Sequence, residues 1–155
     1  HPQKKKIQSG FCVLDFGVRL QGYCSDMTRT IYVGRPSAAE KALYKKLLQA
    51  QAETVKRVKA GISTAELDEF CRGILGARLN KQFVHGLGHG LGTQVHEWPS
   101  VSKGQNIILE ENMLITIEPG IYKKNVYGIR IEDDVVVTKT SGRVLTKSTK
   151  TLIPI

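Results

Sequence analysis

Two apolar segments within residues 13–30 predict a β-hairpin near the start of the chain. If the chain turns at Leu20 and Gln21, residues equally distant from that turn face each other across the two strands. Asp15 then lies directly opposite Asp26. The hairpin is therefore expected to bring two carboxylates together.

Two helices are predicted between this hairpin and a glycine-rich centre. Ser37 with Glu40, and Ser63 with Glu66, match the capping-box pattern of a helix start. Gly61 is the predicted stop of the first helix. Apolar residues recur at helical spacing after each start, namely Leu43, Leu47, Ala50, Val55 and Val58 in the first helix and Leu67, Phe70, Cys71, Ile74 and Leu75 in the second.

Three further strands are predicted, within residues 82–84, 113–118 and 128–138, the last of which is rich in β-branched residues. A strand pair, two helices and three strands in that order indicate an α+β fold, with helices on one face of a curved, mostly antiparallel sheet. A chain of 155 residues that is 41% hydrophobic is long enough for one core. A single domain over residues 1–155 is expected.

Cysteine content and hydropathy favour a soluble, cytoplasmic protein. The chain has no apolar run of about 18 residues, and its first residues do not follow the order of a signal peptide. Cys12, Cys24 and Cys71 are an odd number, and the hairpin register does not pair the first two. Reduced cysteines that pack as small apolar residues are expected.

A formal net charge of +9 invites comparison with nucleic-acid-binding proteins. The positive residues are spread over residues 4–6, 41–59 and 143–150, without interleaved aromatic residues or a known reader motif. A solvated basic surface explains this pattern better, so no nucleic-acid partner is expected.

Four acidic residues lie in apolar strand contexts where carboxylates are unfavourable. Asp15 and Asp26 occupy the hairpin, Glu118 ends the run MLITIE, and Glu132 is flanked by apolar residues in GIRIEDDVVV. Opposed, desolvated carboxylates cost several kcal/mol each unless a positive group lies between them. Arg29 points to the other face of its strand, so a raised pKa, another basic residue or a metal ion must resolve the conflict.

A glycine-rich segment, FVHGLGHGLGTQVHE, supplies His85, His89 and His96. The first two have the spacing of a helical zinc pair, but its glycines would each cost about 1 kcal/mol in a helix. The glycine spacing also fails to match a phosphate-binding loop or a dinucleotide fingerprint. The glycines are better explained by close approach of the backbone to a ligand.

Four carboxylates and one imidazole form a mainly hard donor set, which favours Mn, Fe, Co or a catalytic Zn pair over a structural zinc site. Four negative charges balance two divalent cations. Two such ions can generate a hydroxide and polarise a carbonyl group. Metal-assisted hydrolysis is the predicted chemistry.

At these residues the sequence resembles the pita-bread metallopeptidases, the family of methionine aminopeptidase, Xaa-Pro aminopeptidase and prolidase. The resemblance rests on LDFG, SDMTRT, GHGLG, EPG and RIEDD, found in that order. It implies that Asp15 holds one metal ion, that His89 and Glu118 hold the other, and that Asp26 and Glu132 bridge both. SDMTRT, IEPGIY and YGIRIEDD look more like the Xaa-Pro aminopeptidase and prolidase branch than the methionine branch.

The resemblance also implies catalytic roles. Glu118 would shuttle a proton, His96 would stabilise the tetrahedral intermediate, His85 would contact substrate, and Arg130 would support Glu132. The expected activity is hydrolysis of the N-terminal peptide bond, at Xaa-Pro sequences, by an aminopeptidase or dipeptidase.

Two details stay open from the sequence. Arg130 could instead form a simple charge pair with Glu132 or Asp134. A proline-ring pocket could be walled by Trp98 and Pro99, or by Tyr122.

The resemblance begins near Phe11, and the part of the family's domain that precedes its first aspartate has almost no counterpart here. The chain is therefore expected to be the C-terminal half of such a domain. The expected cofactors are two divalent ions, Mn first, with Co, Zn or Fe as alternatives. The expected partners are a peptide with a free N-terminus and, in a homodimer, a second copy, with no membrane. Two alternatives are a methionine aminopeptidase and a non-catalytic member of the fold that binds peptide or nucleic acid.

Overall fold

The structure, a computed structural model, describes residues 7–155, so the predicted basic stretch 4–6 lies outside the described residues. Strands, then helices, then strands follow one another along the chain, which confirms the α+β prediction. The elements are β1 (Gly10–Phe16), β2 (Arg19–Leu20), β3 (Tyr23–Cys24), β4 (Met27–Val33), α1 (Ala38–Arg57), α2 (Thr64–Asn80), β5 (Gly88–Gly90), β6 (Glu97–Val101), β7 (Leu114–Ile117), β8 (Gly120–Lys123), β9 (Tyr127–Arg130), β10 (Asp133–Val137) and β11 (Gly142–Val144).

The predicted hairpin forms, with a different register. β1 pairs with β4, β2 pairs with β3, and Asp15 faces Thr28 instead of Asp26. The turn lies at Gln21 and Gly22, whose φ values of 50° and 88° match a type I′ turn, the type that fits the twist of a two-residue hairpin. The predicted register is thus wrong by two residues. Because a shift of two keeps each side chain on its face, Asp15 and Asp26 still share one side of the ribbon.

The later strands form a five-stranded antiparallel sheet in the order β11-β10-β7-β5-β6, beside a separate β8–β9 hairpin. The prediction for residues 113–118 is confirmed by β7. The predicted strand 128–138 is two strands, β9 and β10, separated at Ile131 and Glu132. Residues 82–84 form no strand, because the backbone N–H groups of Gln82 and Phe83 donate to carbonyls of the last turn of α2.

Both helices begin where the capping residues predict. Ser37 and Glu40 form a complete capping box before α1, whereas Ser63 only accepts a hydrogen bond from the backbone N–H of Glu66 before α2. Helix α1 ends at Arg57, and Gly61 lies past that end with φ 88°. It is a turn residue between the helices, where a positive φ favours glycine.

The core joins the two helices to the sheet. Both helices contact strands, α1 through β7, β9 and β11 and α2 through β6. The most deeply buried apolar residues include Leu47, Ala50, Leu67, Cys71, Ile115, Ile117 and Val135. All three cysteines are free, with Cys71 buried as predicted and the other two half-buried. Among the described residues, neither helix has the length and apolar character that crossing a bilayer demands.

Candidate metal centre

All five predicted metal ligands line one open cavity of about 600 Å³ between the hairpin and the sheet. His96 and Arg130 line it as well. The predicted ligands are Asp15, Asp26, His89, Glu118 and Glu132.

Strand order explains why residues distant in sequence meet here. Asp15 lies near the end of β1, and Asp26 directly precedes β4. His89 is the central residue of β5, Glu118 follows β7, and Glu132 precedes β10. Because β5, β7 and β10 are neighbours in the sheet, three of these side chains meet on adjacent strands.

The donor atoms converge closely enough to share cations. Within each of three overlapping groups, one donor atom per residue lies within 4.8 Å of the others. The groups are Asp15, Asp26 and Glu132; His89, Glu118 and Glu132; and Asp26, His89 and His96.

Glu132 is the most deeply buried of these acids, with a side chain that is almost fully enclosed. Its Oε2 accepts a hydrogen bond of 2.5 Å from the Thr28 hydroxyl, but its buried Oε1 has no hydrogen-bond partner among the described residues. Burial first, and then the nearby charge of Glu118, raise the pKa of Glu132 to about 8.

Two other acids of the cavity, Glu118 and Asp26, also have raised pKa values. Burial raises the pKa of Glu118 to about 7, against an opposing effect of Arg130. Burial and the charge of Asp15 also raise the pKa of Asp26. Buried polar atoms normally have a partner, so an unpartnered carboxylate oxygen among acids with raised pKa values is suited to a cation. The residues present therefore fit a divalent metal centre.

His89 is oriented as a metal-binding imidazole would be. Its Nδ1 lies 3.0 Å from the Gly90 carbonyl, which assigns the proton to Nδ1 and leaves a lone pair on Nε2. That Nε2 lies 3.3 Å from Glu118 Oε1 and 3.8 Å from Asp26 Oδ2. Burial lowers the pKa of His89, so the ring is neutral near pH 7. A lone pair facing carboxylates needs a cation or a proton between them.

His96 packs against His89, with ring centroids 4.2 Å apart. It is exposed at the cavity wall. It is thus a member of one converging donor group and is also open to the cavity.

Arg130 contacts different acids from those predicted. Its Nη2 bonds Asp15, its Nε donates to Thr28 Oγ1 at 3.0 Å, and that Nε lies 3.9 Å from Glu118 Oε2. Among the described residues it forms no ion pair with Glu132 or Asp134, although its charge opposes the raised pKa of Glu132. A basic residue therefore balances Asp15, whereas among the described residues only the Thr28 hydroxyl donates to the buried Glu132 carboxylate.

His85 lies outside the cavity lining. Its ring bonds the Gly86 carbonyl at 2.7 Å and the Tyr122 hydroxyl at 3.1 Å. Neither Tyr122 nor Trp98 lines the cavity in the part of the chain that the structure describes. None of these three described residues therefore belongs to the lining of the cavity in which the donors converge.

Three residues that sequence reasoning missed hold the predicted ligands in place. Asp134 Oδ2 accepts from the Asp26 backbone N–H at 3.1 Å, and Thr28 bonds Glu132. Thr116 Oγ1 accepts from the His89 N–H at 3.1 Å. Thr28, Thr116 and Asp134 each stand two positions from a predicted ligand, the spacing that places residues on one strand face. That spacing was the available signal.

Residues 1–139 match the model of metallopeptidase family M24. The chain belongs to this family. Its fold is the pita-bread fold, as the resemblance implied.

Similar proteins carry related names. The chain is 45% identical over 151 residues to the Xaa-Pro dipeptidase of Pyrococcus horikoshii, a match that covers 96% of this chain and 43% of that protein. The prolidase of Thermococcus sibiricus has a TM-score of 0.95 at 41% identity, covering 100% of this chain and 43% of its own. For the X-Pro aminopeptidase of Thermotoga maritima the TM-score is 0.94 at 36% identity, covering 99% and 44%.

The chain thus spans less than half the length of the relatives it matches. The match lies in their C-terminal portion, as expected from the sequence.

Proposed function

We propose that this chain provides the metal centre of a dinuclear peptidase that hydrolyses the N-terminal peptide bond of Xaa-Pro substrates. The observation that carries the proposal is the buried Oε1 of Glu132, which has no hydrogen-bond partner among the described residues and lies among four other donor side chains. Asp15, Asp26, His89, Glu118 and Glu132 are the proposed ligands.

Two divalent ions held there would supply Lewis acidity toward a peptide carbonyl and would make water a better nucleophile. We propose Mn²⁺, because four carboxylates and one imidazole are a mainly hard donor set.

Glu118 is the proposed proton carrier. In the metal-free chain burial raises the pKa of its carboxyl group to about 7, and bound cations would lower the pKa from there. It borders the cavity, so the proton can reach a departing nitrogen there.

His96 and Arg130 are the proposed cationic or hydrogen-bonding groups at the cavity wall. His96 is exposed beside His89, where its ring N–H can donate to a developing oxyanion. The Arg130 guanidinium is held by Asp15 and Thr28, which fixes a positive charge next to Glu118. For His85, the bond to Tyr122 supports a role in positioning that ring more than direct contact with substrate.

The Xaa-Pro specificity is supported by the names of the similar proteins, Xaa-Pro dipeptidase, prolidase and X-Pro aminopeptidase. A peptide with a free N-terminus is accordingly the proposed partner. The three free cysteines support the cytoplasm as the proposed compartment.

The test measures Mn²⁺ binding and peptide cleavage on the same protein, with Xaa-Pro dipeptides, longer Xaa-Pro peptides and Met-initiated peptides. We expect metal-dependent cleavage of an Xaa-Pro class. Asp26→Ala should abolish metal binding and cleavage together. The control is Glu53→Ala, which removes a half-buried acid that pairs with Lys56 on α1, outside the cavity, and should change neither. Full activity in Asp26→Ala would refute the bridging role, and preference for Met-initiated peptides would refute the proposed specificity.

A further inference from the structure

Directly behind the cavity acids lies a second set of charged side chains. On β4, Thr28 faces Glu132, while its neighbour Arg29 points to the opposite side, as the strand alternation predicts. Asp133, next to Glu132, points to that opposite side as well. Arg29 Nη2 and Asp133 Oδ1 form an ion pair of 2.8 Å whose side chains are 8% and 0% exposed.

Arg29 also binds the backbone of both segments that carry the cavity acids. Its Nη1 donates to the Thr28 carbonyl at 2.9 Å and to the Glu132 carbonyl at 2.5 Å. Between the same two residues, the Glu132 N–H donates to the Thr28 carbonyl at 3.1 Å. One guanidinium therefore ties together the two backbone positions whose side chains meet in the Thr28–Glu132 hydrogen bond.

The C-terminal segment and α1 complete this back-face cluster, which we define as Arg29, Gln51, Asp133, Thr146 and Lys150. Asp133 accepts hydrogen bonds from Gln51 at 2.8 Å, Thr146 at 2.7 Å and Lys150 at 2.5 Å. Arg29 further donates to the Ser148 carbonyl at 3.0 Å. These four hydrogen bonds from α1 and the C-terminal segment leave the ion pair little freedom to move.

We infer that Arg29, anchored by Asp133, is a positioning residue that fixes where the Glu132 carboxylate points and thereby sets the metal affinity of the cavity. Arg29 contacts no cavity donor atom itself; it acts through the backbone of Thr28 and Glu132. This inference rests on the proposed function, because it assumes that the cavity acids bind metal. Outer partners that orient metal ligands commonly change affinity 10- to 100-fold.

A lysine cannot replace Arg29 in this role. The planar guanidinium presents donors in a fixed fork and reaches two carbonyls and a carboxylate at once. An ammonium keeps the charge but cannot satisfy all these acceptors in one geometry. Arg29→Lys therefore separates positioning from charge.

The matched control is Arg72→Lys. Arg72 on α2 likewise pairs with a fully buried acid, Asp68, at 2.6 Å. It also donates to the backbone carbonyls of Phe83 at 2.8 Å and His85 at 2.6 Å. It thus has the same chemistry as Arg29 but does not bind the backbone of any proposed metal ligand.

The experiment titrates metal-free protein with Mn²⁺ by calorimetry and records the d–d absorption spectrum with Co²⁺. Folding is checked by circular dichroism, in sucrose to favour the folded state. Arg29→Lys should bind Mn²⁺ about 10- to 100-fold more weakly and show a changed Co²⁺ spectrum, while Arg72→Lys should match the parent. Asp133→Glu, which keeps the ion pair but moves it by one methylene, should change both readouts in the same direction as Arg29→Lys.

Parent-like Mn²⁺ affinity and Co²⁺ spectrum in folded Arg29→Lys, or in Asp133→Glu if Arg29→Lys does not fold, would overturn the positioning role and leave the proposed function intact. Equal weakening in Arg72→Lys would also overturn it, since the effect would then be general. If the parent itself binds no Mn²⁺, the proposed function fails and the positioning role fails with it.

Discussion

Glu132 and Asp133 are adjacent acids that are both almost fully buried, yet their pKa values are shifted in opposite directions. Burial also acts to raise the pKa of Asp133, but hydrogen bonds from Lys150, Thr146 and Gln51 outweigh it and lower the pKa. Within residues 7–155 the Glu132 carboxylate accepts a hydrogen bond from the Thr28 hydroxyl alone, and burial raises its pKa to about 8.

The difference separates a structural acid from a candidate functional one. Asp133 is neutralised within the chain by Arg29 and Lys150, so nothing further is needed. Glu132 keeps a buried oxygen without a partner among residues 7–155. Burial alone therefore does not mark a metal ligand; burial without an internal ion pair, among other converging donor side chains, does. Asp134 also keeps a buried oxygen without a partner among the described residues, but it belongs to none of the converging groups.

The largest expected effect comes from removing the charge on Glu132, which lines the cavity. Glu132→Gln should weaken Mn²⁺ binding by more than about 100-fold, since a lost ligand should exceed the loss of an outer partner. Metal-free Glu132→Gln should be at least as stable as the parent at pH 8, because a buried carboxylate no longer has to ionise. Calorimetry and urea unfolding measure both; parent-like Mn²⁺ affinity would contradict the assignment.

Removing the charge on Asp133, in the back-face cluster, should reduce folding stability more than it reduces metal binding. Asp133→Asn leaves Arg29 buried without its counter-charge, and breaking such a pair costs about 3 to 5 kcal/mol of folding stability. Metal binding should weaken but persist in the folded fraction. Urea unfolding of metal-free protein measures the stability, and a change within about 0.5 kcal/mol would show that the cluster is not structural.

Sequence reasoning could identify the acids of the cavity. It could not show that Asp133 is neutralised within the chain whereas Glu132 is not. Asp15, Asp26, Glu118 and Glu132 stood out because carboxylates are unfavourable in apolar strand contexts, and their motifs carried the family resemblance. The sequence could not show which basic residues neutralise Asp133, because that depends on tertiary pairing. Lys150 comes 17 residues after Asp133, and nothing in the local pattern links them.

The hairpin shows a second limit. Its alternation predicted the correct faces, but the register depended on which residues adopt positive φ, and Gln21 with Gly22 turned the chain one position later than expected. The break between β9 and β10 was hidden for a related reason. Glu132 lies within a continuous β-branched pattern, so only the three-dimensional pairing reveals that it precedes a new strand.

A change of pH should alter the folding stability by less than the substitution of Asp133 does. Glu132 and Asp133 should contribute to this change in different pH ranges. In metal-free protein the folded Glu132 and Glu118 hold protons up to about pH 8 and 7, whereas the unfolded groups lose them near their ordinary pKa of 4.5. The stability that these raised pKa values provide is complete below about pH 4.5 and is lost as the pH rises through the folded values.

Metal-free protein should thus lose about 2 kcal/mol or more between pH 5 and pH 8, measured by urea unfolding at each pH. The Glu132→Gln variant should show a flatter profile. Asp133 has a lowered pKa, so its contribution is present above its ordinary pKa of 3.8 and disappears only in acid. A metal-free parent that becomes more stable from pH 5 to pH 8 would contradict the raised values.

The smallest effect should come from a region remote from both acids. Ser37→Ala removes the complete capping box of α1 and should cost about 1 kcal/mol of folding stability. Mn²⁺ affinity should not change, because the site residues lie on other elements. The matched variant Ser63→Ala, at the half-formed box of α2, should cost less. Thermal unfolding compares the two, and an equal or reversed order would contradict the capping assignment.

The most direct test of the central claim is the number of Mn²⁺ ions bound by the purified chain, measured by calorimetric titration and elemental analysis after dialysis. The account predicts two ions per chain, with binding that strengthens as the pH rises from 6 to 8 because the ligand carboxyls lose their protons. Absence of bound Mn²⁺ across that range, or binding that survives unchanged in Glu132→Gln, would contradict it.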